Sequence, residues 1–111
     1  MSFFFALALG AFTSLPAEAS LSRLTCDTQG PVFMQAEVSL LRDQWDSVSN
    51  GGYTLELSSD PRGRETWVKI IVSQDGGGSN FSTVQTIPLV GGSREILSEW
   101  IDDFLLRCRV R

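Results

Sequence analysis

The chain is predicted to be mainly β: a single antiparallel β-sandwich or small barrel-like domain with one C-terminal amphipathic helix at about residues 93–105. Three observations predict this. Apolar and polar residues alternate with period two in several segments, the pattern of strands that bury one face. Breaks rich in Gly, Pro and Asn separate those segments, among them Asn50-Gly51-Gly52 and Asp60-Pro61-Arg62-Gly63. Past Gly91-Gly92 the apolar period lengthens to that of a helix. A chain of 111 residues supports one core and is too short for two.

Residues 1–19 read as a cleaved secretory signal peptide. Phe3 to Phe12 is an uncharged apolar run, and Pro16 and Ala17-Glu18-Ala19 supply a breaker and a small-x-small cleavage site. The run is too short for a helical span, which needs about 20 residues, so no stable membrane span is expected after cleavage. The n-region carries no Lys or Arg, which departs from the usual signal. Arg23 upstream of Cys26 does not suit a lipid-anchor site. Residues 20–111 are then one disulfide-closed, β-rich domain.

Within that domain, Leu24 and Cys26 alternate with Arg23, Thr25 and Asp27, which predicts a strand near 22–27. After Gly30-Pro31, the residues Val32, Met34, Ala36, Val38 and Leu40 fall on one face of an extended segment near 32–41. An alternative winds 32–49 as a second helix, in an α+β fold, because Met34, Val38, Leu41, Trp45 and Val48 recur at helical spacing. That stripe leaves Val32, Phe33, Ala36 and Leu40 aside, so the strand is preferred and 42–50 is assigned to a connection containing Trp45. Tyr53, Leu55 and Leu57 alternate with Thr54, Glu56 and Ser58, giving a strand near 53–59. The segment 66–74 is apolar on both faces apart from Lys69, as expected of a central strand covered on both sides. The segment 80–90 is extended again, and Pro88 confines it to an edge or a strand end. Ile96, Leu97, Trp100, Ile101, Phe104 and Leu105 fit one helical stripe, with Ser93 as N-cap. That helix would cover the second apolar face formed by Phe33, Leu41, Trp67 and Ile71. A final strand, 106–111, places Leu106, Cys108 and Val110 opposite Arg107, Arg109 and Arg111.

Cys26 and Cys108 are the only cysteines, so an exported chain has one intramolecular pairing available. The loop closed would span 82 residues, and the chain-entropy relation assigns such a bridge about 4 to 5 kcal/mol.

Few functional signals stand out. The formal net charge is −4, with 9 Lys+Arg against 13 Asp+Glu, so no nucleic-acid partner is expected. The chain has no histidine, which removes His-based triads and His-containing metal sites. Cofactors and metals are expected to be none. Glu99, Asp102 and Asp103 read as a solvated helix face, and Asp75-Gly76-Gly77-Gly78-Ser79-Asn80 as a hairpin loop lacking the features of a calcium or phosphate loop. Asn80-Phe81-Ser82 is an N-glycosylation triplet whose meaning depends on the host. Trp67 and Trp100, with periodic apolar neighbours, are assigned to the core. Trp45 lies in a polar context and is a candidate partner contact, as are Arg107, Arg109 and Arg111, which could grip an acidic group. The expectation is a small secreted or periplasmic non-catalytic binding or accessory module whose partner is a protein or envelope component. A structural, envelope-associated assembly protein is the alternative. An enzyme is disfavoured, since it would need a carboxylate or Ser-Lys mechanism, the latter requiring a buried Lys69 beside a serine.

Overall fold

The computed structural model describes residues 20–111, so the expected signal peptide lies outside the described residues. Eight strands follow one another: β1 Arg23–Gln29, β2 Gln35–Ser39, β3 Gln44–Asn50, β4 Tyr53–Arg62, β5 Glu65–Gln74, β6 Ser79–Pro88, β7 Arg94–Ile101 and β8 Phe104–Val110. They form two four-stranded antiparallel sheets, ordered β2-β1-β8-β7 and β3-β4-β5-β6. The sheets pack face to face, and each gives its inward positions to one core. From the first come Leu24, Ala36, Val38, Phe104, Leu106 and Val110, and from the second Leu55, Leu57, Val68, Ile70, Val72 and Ile87.

The described residues form an all-β sandwich, which corrects the expected mainly β domain with a C-terminal helix. No helix is present among the described residues, and 93–105 forms most of a hairpin. The apolar doublets that imitate a helical stripe arise from two interruptions of a strand alternation. A register shift between Glu95 and Leu97 inserts Ile96 as an extra residue, after which Leu97 and Ile101 align with the inward residues Cys108 and Phe104. The turn at Asp102-Asp103 then resets the phase for Phe104, Leu106, Cys108 and Val110. Asp102 takes a φ of 53°, a left-handed conformation that the short polar side chain of Asp tolerates.

The alternative helix at 32–49 is likewise overturned, since that stretch divides into β2 and β3. The connection assigned to 42–50 is in fact mostly strand β3. Val32, Met34, Ala36, Val38 and Leu40 are all buried, as the strand reading required. With no helix over it, the second apolar face stays largely open: Phe33, Leu41 and Trp67 are exposed and Ile71 half-buried.

Side chains stitch the sheets together along the β2–β3 border. The Glu37 amide donates to Asp46 Oδ2 at 3.0 Å and the Ser39 amide to Gln44 Oε1 at 2.6 Å. Buried Thr66 donates from Oγ1 to the Leu40 carbonyl at 2.5 Å, and Ser59 Oγ to the Arg42 carbonyl at 2.9 Å. The two amide bonds occupy backbone groups that the β2 edge would otherwise present, and the two carbonyl bonds anchor the β2–β3 connection.

Cys26 and Cys108 face each other across β1 and β8 and form a disulfide with a Cα separation of 4.1 Å. Arg23 and Arg111 exchange both backbone bonds, at 2.9 and 3.0 Å. Counting along the ladder from that pair puts the cysteines at a non-hydrogen-bonded position, where opposed residues approach most closely. No free cysteine is found among the described residues.

Candidate functional site

Outward-facing residues on the two sheets make two distinct surfaces. Arg107, Arg109 and Arg111 lie on the outer side of β8, between the inward Leu106, Cys108 and Val110. Trp45 lies on the outer side of β3, aligned with Ser58. The candidate contacts therefore sit on opposite sides of the sandwich and do not form one site.

On the first surface the arginines meet carboxylates. Arg107 is aligned with Asp27 and its Nε lies 3.6 Å from Glu95 Oε2. Arg109 is aligned with Glu95 and Thr25. Arg23 Nη1 pairs with Glu37 Oε2 on the same face. Cross-strand pairs of opposite charge make this a self-neutralising mosaic. Only at its open end do cations gather, where Arg94, Arg109 and Arg111 line a depression of about 240 Å³ with Ser93 and Glu95. Trp100, assigned to the core from its helical stripe, is instead 68% exposed on this side, opposite Leu105. The bulge at Ile96 and the hairpin turn leave it on the outward phase of β7.

The second surface is organised around two indoles. Trp45 is 62% exposed, and its Nε1 donates to Glu56 Oε2 at 3.0 Å. Trp67, also assigned to the core, is 40% exposed, because its outward position on β5 has no helix above it. Its Nε1 donates to Glu65 Oε2 at 3.2 Å, and the Arg62 guanidinium lies 4.5 Å from the ring centroid. Arg62 is in turn held by Asp60 Oδ2, at 3.0 Å from Nε and 2.8 Å from Nη2. Asp60 raises the Arg62 pKa further above its ordinary value, so the cation over the ring is permanent. Trp45 heads a cross-strand row that continues through Ser58, Lys69 and Val84, and Trp67 lies in the next outward row with Asp60 and Thr86.

Sequence reasoning found Trp45 and missed Trp67. The signal was present in the alternation Trp67, Lys69, Ile71 against Val68, Ile70, Val72, where a lysine marks the outward phase. Lys69 is exposed, so the buried lysine that a Ser-Lys mechanism requires is not found. No cluster of three or more metal-binding side chains occurs among the described residues. Asn80, of the glycosylation triplet, is exposed at the start of β6, with Nδ2 3.4 Å from both Gln74 Oε1 and Asp102 Oδ2.

The chain matches no known family model, no characterised protein and no solved structure.

Proposed function

We propose that this protein is a small non-catalytic binding module, secreted or periplasmic, that engages a protein or envelope component through the outer face of the β3–β6 sheet. One observation carries the reading: both exposed indoles on that face are tied by their N–H groups to carboxylates of the same sheet. An aromatic anchor with a fixed orientation loses little conformational freedom on binding, and large aromatics on rigid elements dominate contact energies. The buried Cys26–Cys108 bridge is compatible with an oxidising compartment, as secretion or export to the periplasm would provide.

The test uses a photo-crosslinking residue placed singly at Ser58, Thr86 or Arg109 in the protein expressed in its native host. Adducts from Ser58 and Thr86, absent from Arg109 and abolished by Trp45→Ala, support the reading. Adducts from Arg109 alone, or from none of the three positions, overturn it.

A further inference from the structure

The two sheets expose four edges, and three of them are protected against pairing with another chain. β2 and β3 are stitched to each other by the side chains of Asp46 and Gln44. β7 is interrupted by its bulge and carries Arg94, Glu95 and Glu99. β6 touches β7 through the Gln85 side chain, whose Nε2 donates to the Ile96 carbonyl at 3.2 Å and so occupies a β7 group, not a β6 backbone group. β6 itself runs for 10 residues without a single charge, SNFSTVQTIP. Long, uncharged edges rich in β-formers are what soluble proteins ordinarily avoid.

Backbone alternation identifies the groups that β6 presents. The Leu89 amide donates to the Arg64 carbonyl at 3.0 Å, towards β5. Counting back along the strand, the amides of Ile87, Gln85, Thr83 and Phe81 also turn to β5, and those of Thr86, Val84 and Ser82 turn to the free edge. Pro88 occupies an edge-facing position, where its missing N–H costs the β5 ladder nothing. Asn80 is skipped by the register shift at the other end. The open stretch is thus 81–87, centred on Val84, which is 56% exposed.

We propose that β6 is a self-association edge, pairing antiparallel with β6 of a second copy about a two-fold axis at Val84. The sequence about that point is matched to itself. Val84 meets its symmetry mate, Ser82 meets Thr86, Thr83 meets Gln85, and Phe81 meets Ile87, so each residue faces one of its own kind and no charges oppose. The exchange makes roughly six backbone hydrogen bonds and joins two four-stranded sheets into one continuous sheet. Such a two-fold is perpendicular to the sheet, so both copies turn Trp45 and Trp67 to the same side, giving a bivalent form of the binding face proposed above. The edge itself is independent of whether that face binds anything.

The test is sedimentation equilibrium of the full, oxidised protein without added partner, combined with hydrogen exchange of individual β6 amides. The expected result is a dimer in which Ser82, Val84 and Thr86 amides gain protection with concentration, while Thr83 and Gln85 amides are protected throughout. Val84→Lys, which sets two ammonium groups face to face without touching the core, should give a monomer of unchanged circular dichroism. Thr86→Pro, which removes an edge-facing N–H, should do the same. A monomer across the micromolar range, a dimer that survives Val84→Lys, or edge amides protected only by an added extended peptide would each overturn the proposal.

Discussion

Removing the Cys26–Cys108 bridge is expected to take away a large share of the stability of the fold. The cysteines already face each other in the β1–β8 ladder, so the native state changes little and the effect falls on the unfolded chain. For a separation of 82 residues, the loop-closure relation gives about 4.5 kcal/mol at room temperature. Cys26 and Cys108 are 0% and 1% exposed, so a Cys26→Ala/Cys108→Ala variant also leaves unfilled core volume and should lose more than the reduced natural protein. Total stabilities of about 5 to 15 kcal/mol are usual for single domains, so reduction should remove roughly a third to nearly all of the stability. Urea unfolding followed by tryptophan fluorescence reads this directly. With an m-value of about 1 to 1.5 kcal/mol per molar urea, the midpoint should fall by about 3 to 4.5 M on reduction. The m-value should also rise, because the unfolded chain is freed to expand. A midpoint loss below about 1 M with an unchanged m-value would refute the reasoning.

Tyr53 is the only tyrosine, and its hydroxyl donates to Asp102 Oδ2. That bond, together with burial and the charges of Asp102 and Asp103, raises its pKa above the ordinary value of 10.0. A raised folded-state pKa gives stability that is complete below about pH 10 and is lost as pH rises through the folded value. Near-ultraviolet phenolate absorbance should therefore titrate later in the folded protein than in urea, and Tyr53→Phe should remove the alkaline slope of stability. Thr28 is buried and ties down the β1–β2 turn, donating to the Val32 carbonyl at 2.8 Å and accepting from the Met34 amide at 2.7 Å. Thr28→Val should cost about 1 to 3 kcal/mol in chemical denaturation, since it leaves buried partners unpaired. Gly30 has a φ of 127°, and a Cβ there would lie 3.1 Å from the Asp103 carbonyl and 3.3 Å from Phe104 Cα, both backbone atoms. Gly30→Ala should accordingly lower stability by about 1 to 3 kcal/mol and the thermal midpoint with it. The intact mass of protein recovered from its host should show loss of residues 1–19 and alkylation of two thiols only after reduction.

The parts of the fold that were legible in the sequence are those where alternation runs uninterrupted. Val32 to Leu40 has its even positions inward, and Tyr53 to Leu57 and Leu106 to Val110 keep their phase from end to end, so burial follows directly from the residues. The pairing of Cys26 with Cys108 was legible because only one pairing was available. Elements fail where one residue breaks the phase. A single inserted residue at Ile96 and a tight turn at Asp102-Asp103 convert a period of two into doublets spaced by four, which no local count distinguishes from a helical stripe.

The same misreading concealed the exposed aromatic face of the β3–β6 sheet. A helix over one sheet needs an apolar face beneath it, and Trp67, Phe33 and Leu41 fit that bed. Without it, those side chains must be accounted for in contact with water. Trp67 is accounted for by its hydrogen bond to Glu65 and by Arg62 over its ring, and Trp45 by its bond to Glu56. In each case the polar edge of the indole is satisfied within the sheet while much of its apolar surface remains open. A core tryptophan would bury that surface, whereas these two hold it open in an orientation set by the N–H bond. The opposite side also exposes a tryptophan, Trp100. What distinguishes the β3–β6 side is that two indoles there are each oriented by a carboxylate of the same rigid sheet, and on the reading proposed above a partner should meet the sandwich on that side.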